Sequence, residues 1–337
     1  MRTSALRALV ATGAAVLAVS ACSDDPAAAP AEPEDSTTSS GSTASSPSAE
    51  PVDAEYVEVG AGPVGVAAGD GAVWVVSTGD EVVSRIPVGA HRPDLMVDVP
   101  GVPLRVAVAD GAVWVTAFER GQLVRIDART GKVTDRIATG DGPEGVTAGF
   151  GSVWVVAQDA GQLLRVDPAS RRVTDRIDIG VGARLVTTGA DGVWVSHFAD
   201  NAVLRVDPRS GKVTRSGEVC NGPQGLAVVG DLVWTACTYS DQVLGLDPES
   251  LEVVTDIPVG GYPDPLAITA EGTLLAVAEE GPVLVAIDPA EGAVLEERVL
   301  AELAALGDRA NLDATVIDGE AWVTSHSTDR VYHLPAH

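Results

Sequence analysis

Seven units of about 40 residues, each reading as four short strands around one mid-strand aromatic or leucine, predict an all-β fold, a seven-bladed β-propeller. Three observations carry that prediction. Trp74, Trp114, Trp154, Trp194 and Trp234 follow one another at intervals of 40 residues, and Trp322 is the sixth and last tryptophan. Between Trp234 and Trp322, the segment Gly272-Thr273-Leu274-Leu275-Ala276 supplies a further unit, with Leu275 at the Trp place. The two ends of the repeat region each hold part of one unit, and the parts complement each other. Composition agrees: 36 Gly, 21 Pro and 4% aromatics suit short strands and tight turns better than a helical bundle.

The third unit shows the strands in order. Gly142-Pro143-Glu144-Gly145-Val146-Thr147 opens the first, and Gly151-Ser152-Val153-Trp154-Val155-Val156 is the second. Gln162-Leu163-Leu164-Arg165-Val166 is the third, and Asp167-Pro168-Ala169-Ser170 turns the chain. In such a turn Pro presets φ and Asp binds the local backbone. Arg172-Val173-Thr174-Asp175-Arg176-Ile177 alternates in polarity, as an outer strand should. The Asp turn recurs at Asp127, Asp207, Asp247 and Asp288. One window departs from the pattern: Glu297 to Leu306 could line a helical face with Val299, Leu300, Leu303 and Leu306. It falls where the last Trp-place spacing stretches to 47, so it reads as an inserted loop or short helix.

Closure follows from the ends. Tyr56 to Gly62 aligns with Arg136 to Gly142, a fourth strand, and Val331-Tyr332-His333-Leu334 aligns with a third strand. An N-terminal outer strand therefore pairs with the C-terminal blade and closes the ring without a covalent joint. The propeller spans residues 55–337.

The segment before it has two parts. Arg2 and Arg7 precede an apolar stretch from Ala8 to Val19, too short for a comfortable membrane span. It ends in Val19-Ser20-Ala21-Cys22, which resembles a bacterial lipobox. That resemblance implies a signal peptide over 1–21, lipidation of Cys22, and a domain held at the outer face of the bacterial cytoplasmic membrane. Residues 22–54 are rich in Ser, Thr, Pro and Ala and read as a disordered stalk with a reach of roughly 30 Å.

The formal net charge is -26, and Lys132 and Lys212 are the only lysines. Such a field opposes nucleic acid and anionic lipid, so the membrane contact expected is through the anchor alone. It also favours a monomer.

The recurrent G-P-x-G-[VL] and G-x-V-W-V segments, with R-[IV]-D-P-x-S-G-K-V, resemble seven-bladed propellers of the YVTN-repeat and virginiamycin B lyase-like group. The likeness covers residues 55–337 and carries the fold further than the function, because propellers host binders, scaffolds and enzymes alike. Lyase-like members show G-P-H-G starts and W-F-T-E strands, whose His and Glu assist a Mg²⁺-dependent opening of a cyclic ester. Here the x places hold Val64, Leu104, Glu144, Arg184, Gln224 and Asp264, none of them His. Three residues after the Trp place stand Ser77, Ala117, Ala157, His197, Cys237, Ala278 and Ser325, none of them Glu. Glu279 and His326 lie one step further on.

Positions that vary inside an otherwise regular repeat are the candidates for function. Strand starts and second-to-third-strand loops share one rim, so Arg105, Glu144, Arg184, Gln224, Asp264 and Asp313 form a mixed polar ring there. Its bland reading is a rim of mutually paired, solvated charges; its functional reading is a ligand pocket. Glu144, Asp264 and Asp313 are also candidate oxygen ligands for Ca²⁺ or Mg²⁺, although no cofactor is required. His197 and His326 follow Trp194 and Trp322 and should reach the same rim, where either, with Glu279, is a candidate acid–base residue. His91 and His333 have no comparable placement. Cys220 and Cys237 fall at rim ends of adjoining strands and are expected to pair in an oxidising compartment, for about 3 kcal/mol.

The reading is a binding or scaffold protein of the envelope with its ligand at the funnel rim: a small molecule, a cell-wall fragment or an envelope protein. A metal-assisted lyase or lactone hydrolase is the enzymatic alternative, and a ligand-sensing accessory of a membrane protein the third.

Overall fold

The computed structural model describes residue 52 and residues 54–279, 283–300 and 312–336. The signal peptide assigned to 1–21, the lipidation assigned to Cys22 and most of the 22–54 stalk lie outside the described residues. The described residues form seven four-stranded antiparallel sheets. Six are built from consecutive strands, at 63–98, 103–138, 143–178, 183–215, 223–258 and 263–299, and are blades 1 to 6. Blade 7 takes Ala314–Ile317, Glu320–Ser325 and Arg330–Pro335 from the C-terminal end and Glu55–Glu58 from the N-terminal end. Glu55 faces His333 and Tyr56 faces Tyr332 across that seam, the predicted non-covalent closure. The expected propeller is the observed fold, and every predicted strand of the third unit is present.

The tryptophans explain why the blades stack. Trp74, Trp114, Trp154, Trp194, Trp234 and Trp322 are all at most 2% exposed. Each ring removes a large apolar area from water between neighbouring sheets. The clusters cross blade boundaries: Trp154 packs with Val186, Val193 and Val195 of the next blade. Leu275 takes the place in blade 6, opposite Ala267 as Trp74 is opposite Ala67. An arginine of the third strand lies across from most of these rings. Arg85, Arg125, Arg165 and Arg205 sit over Trp74, Trp114, Trp154 and Trp194 at 5.5–5.8 Å.

The G-P-x-G start has two structural causes. In each of the first six blades the inner strand carries a register shift just after the residue at the Pro place. Such a bulge re-aims a side chain, here toward the propeller axis. The second glycine is needed where the next inner strand closes in. A Cβ on Gly145 would meet the Arg184 carbonyl oxygen at 2.6 Å, and Cβ atoms on Gly65 and Gly225 would collide with the carbonyls of Leu104 and Asp264. Blades 2, 4 and 6 place Arg105, Leu185 and Pro265 at that position, so glycines and bulky residues alternate around the axis.

Two boundaries differ from the sequence reading. Glu297, Arg298 and Val299 belong to the outer strand Ala293–Val299 and are not helical, because they pair with Val283, Leu284 and Val285. Leu303 and Leu306 lie outside the described residues. Val52, assigned to the stalk, forms a parallel bridge with Leu300, and Ala54 packs on the blade 6–7 core, so both residues touch the propeller.

Candidate functional site

Six polar side chains meet near the axis, five from the bulged inner-strand starts and Asp313 from the start of blade 7. Arg184 donates to Glu144 Oε1 through Nη2 at 2.9 Å and Nε at 3.1 Å, and to Gln224 Oε1 through Nη1. Gln224 Nε2 donates to Asp264 Oδ1 at 2.6 Å, and the Leu312 amide donates to Asp264 Oδ2 at 3.1 Å. Arg105 Nη1 donates to the Leu312 carbonyl at 3.0 Å and lies 3.4 Å from Asp313 Oδ2. Asp313 accepts from the Val66 and Ala314 amides at 3.1 and 3.0 Å. Thr116 completes the circuit: its hydroxyl accepts from the Arg105 amide and donates to the Glu144 carbonyl.

This is a belt of paired groups, but not the solvated rim expected. Arg105, Glu144, Gln224 and Asp264 are at most 5% exposed. The inward-turning bulges bury them against one another. Burial pushes the Asp264 and Asp313 carboxyls above the usual carboxylate range, against the pull of Arg105. Burial also works against the Arg184 charge, yet the adjoining Glu144 carboxylate outweighs it and holds the guanidinium above its ordinary value. Beyond the belt the axis opens into a cavity of about 140 Å³ lined by Val66, Val106, Val146, Val186 and Leu226. Arg105 also borders it, and its Nε and Nη2 have no protein partner among the described residues.

The proposed Ca²⁺ or Mg²⁺ ligands do not suit a divalent cation as they stand. All six carboxylate oxygens of Glu144, Asp264 and Asp313 already face N–H donors. Two guanidinium groups stand among them. The lyase-type metal step therefore finds no donor set in this belt.

The mouth beside the belt takes Phe198, Thr238 and Glu279 from the column of residues that follow the second strand in each blade. That column is Thr78, Phe118, Gln158, Phe198, Thr238, Glu279 and His326, one step past the one read in the sequence. Blades 4 to 6 make this mouth aromatic. Phe198 and Tyr239 stand edge-on at 5.8 Å, Tyr239 and Tyr262 at 6.4 Å, and the Arg184 guanidinium lies 5.2 Å from the Phe198 ring centre. With Gln224, Thr238 and Glu279 they line a small cleft of about 50 Å³, and Tyr239 is 43% exposed. Sequence reasoning missed the three rings; aligning the loops in columns of 40 would have found them.

The other candidates separate. Cys220 and Cys237 form a disulfide with Cα atoms 5.9 Å apart, as expected. It pins the loop that carries Tyr239, whose amide donates to the Asn221 carbonyl. His197 occupies the Cys237 place one blade earlier and faces Gly180, as Cys237 faces Cys220. It does not open onto the funnel: it is 1% exposed, with Nδ1 3.5 Å from Asp200 Oδ2. Burial lowers its pKa, against the pull of Asp200, so the neutral ring fills a packing slot. His326 is half-buried, with Nε2 against Gly62. Glu279 stands on the aromatic side, bordering the cleft.

No family model matches the chain, and no curated protein matches it in sequence. Solved structures share its fold. A streptogramin B lyase superposes with a TM-score of 0.72 at 16% identity, over 83% of this chain and 96% of that one. The virginiamycin B lyase of Staphylococcus aureus gives 0.71 at 16%, over 84% and 99%. A hydrazine synthase chain from Kuenenia stuttgartiensis gives 0.63 at 14%, over 81% and 95%. The chain is thus a seven-bladed β-propeller whose architecture is similar to that of virginiamycin B lyase, the resemblance its repeats carried. At these identities the likeness is one of fold.

Proposed function

We propose that this chain is a non-catalytic binding protein of the bacterial envelope, with a small molecule or a cell-wall fragment held at the funnel mouth. The observation that carries the reading is the aromatic sector of blades 4 to 6, Phe198, Tyr239 and Tyr262, set beside Arg184 and Glu279. Rings edged by a cation and a carboxylate offer both stacking area and orienting polar groups. The belt beneath supplies a floor whose carboxylates are engaged in holding the blades. A lipid at Cys22 and the stalk would tether a monomeric propeller at the outer face of the cytoplasmic membrane. The Cys220–Cys237 disulfide agrees with an oxidising compartment.

The test is binding of a soluble muropeptide mixture to the full-length protein, read by native mass spectrometry. A retained fragment is expected, and its loss in Tyr239→Ala and Glu279→Gln. Equal retention by those variants, or none by the wild type, overturns the reading. Two observations favour a second reading: Glu279 and His326 both directly follow the second strand of their blades, and the fold is similar to that of a streptogramin B lyase. Ring-opening of a streptogramin B followed by chromatography, abolished in His326→Ala, would establish that enzyme in place of the binder.

A further inference from the structure

The seam that closes the ring brings together three residues far apart in sequence. Glu55 begins the N-terminal strand, His333 lies opposite it on the C-terminal strand, and His91 comes from the loop before the outer strand of blade 1. Their ligand atoms all lie within 4.8 Å of one another. Glu55 Oε2 is 3.8 Å from His91 Nδ1 and 3.9 Å from His333 Nε2. The cluster lies away from the funnel mouth, at the end where the N-terminal strand enters.

His333 is an exception within the repeat. Its place opposite Trp322 is the one that holds Arg85, Arg125, Arg165 and Arg205 opposite their tryptophans. Here the imidazole lies flat on the indole, with ring centres 4.3 Å apart and planes 14° apart. Its Nδ1 is 3.1 Å from Glu320 Oε2. A carboxylate accepts, so Nδ1 carries the proton in the neutral ring, and Nε2 then keeps its lone pair. The side chain is 8% exposed, and Nε2 has no hydrogen-bond partner among the described residues. In that tautomer a buried lone pair faces a carboxylate and a second imidazole.

Two imidazoles and a carboxylate, one imidazole backed by a further carboxylate, are the donors and outer support that Zn²⁺ takes. We propose that Glu55, His91 and His333 bind one divalent transition-metal ion, Zn²⁺ by donor type, with Glu320 as the positioning residue for His333. Tetrahedral ligands around Zn²⁺ stand about 3.3 Å apart, so the exposed Glu55 and His91 side chains need only small rotations. The ion would clasp both ends of the propeller to blade 1.

The experiment uses the full-length protein stripped with a chelator and titrated with Zn²⁺ against a chromophoric chelator. One equivalent is expected to bind, raising the melting temperature by about 5 °C at zinc a hundredfold above Kd. His91→Ala, at an exposed site, should melt like the metal-free wild type and bind at least tenfold more weakly. Glu320→Gln should weaken binding by about 10–100-fold. The Co²⁺ form should show the visible absorption of a tetrahedral site. No stoichiometric Zn²⁺ binding, or equal affinity in the wild type and His91→Ala, would overturn the proposal.

Discussion

The axial belt and the ring seam both gather charged groups from distant parts of the chain, and they solve the problem differently. In the belt every carboxylate oxygen of Glu144, Asp264 and Asp313 meets an N–H donor. In the seam, His333 Nε2 is buried with no hydrogen-bond partner among the described residues. The difference teaches how to tell a structural network from a site. Paired buried groups hold blades in register, whereas an open lone pair among other electron donors asks for a cation. The mouth belongs to neither type. Its rings are partly exposed and rest on a floor already held together.

The largest effect should come from breaking the belt. Asp264→Ala removes the acceptor of Gln224 and Leu312 and the counter-charge near Arg105. It should cost about 3–5 kcal/mol in urea denaturation. A loss below about 1 kcal/mol would mean that the belt does not couple the blades. Replacing Cys220 and Cys237 together by Ser should cost about 3 kcal/mol and loosen the Tyr239 loop. Unchanged urea midpoints for oxidised and reduced wild type would contradict that.

His197 gives a smaller, pH-dependent effect. Its folded pKa is lowered, so the unfolded chain binds more protons in the window below about 6.5. The stability it contributes is present above that value and is lost as pH falls through the folded pKa. Asp264 and Asp313, with raised carboxyls, tilt stability the other way, and it declines as pH rises above the usual carboxylate range. The difference between wild type and His197→Gln isolates the histidine. The wild type's stability relative to the variant should fall between pH 7.5 and 5.5, the variant being the less acid-sensitive, and parallel curves would remove the assignment. Tyr239→Ala should change stability least, by under about 1 kcal/mol, while abolishing muropeptide retention. A large stability loss there would make the ring a packing residue.

The blades were legible because tryptophans at intervals of 40 and the Asp turns repeat physical requirements: one large ring per interface, and one cap per hairpin. Asp207 and Asp247, for example, each accept from amides two and three residues on. The belt residues were legible as variation at the G-P-x-G place. Their burial was not, since it depends on a bulge that turns side chains inward and on the next inner strand closing over them. His197 looked like a rim base because its strand ends there. The Gly180 connector covers it, a contact that strand assignment does not show. Glu55 and His333 meet only when the ring closes, and His91 lies in a loop with no counterpart in the repeat, so no local pattern joined the three.

The most direct test of the belt as a structural network is a double-mutant cycle on its central pair. Urea denaturation of Glu144→Leu, Arg184→Met and the double variant measures it. The account predicts that each single change costs at least about 3 kcal/mol, by leaving a buried charge or donor alone, and that the double variant recovers most of that loss. Additive losses in the double variant would contradict it.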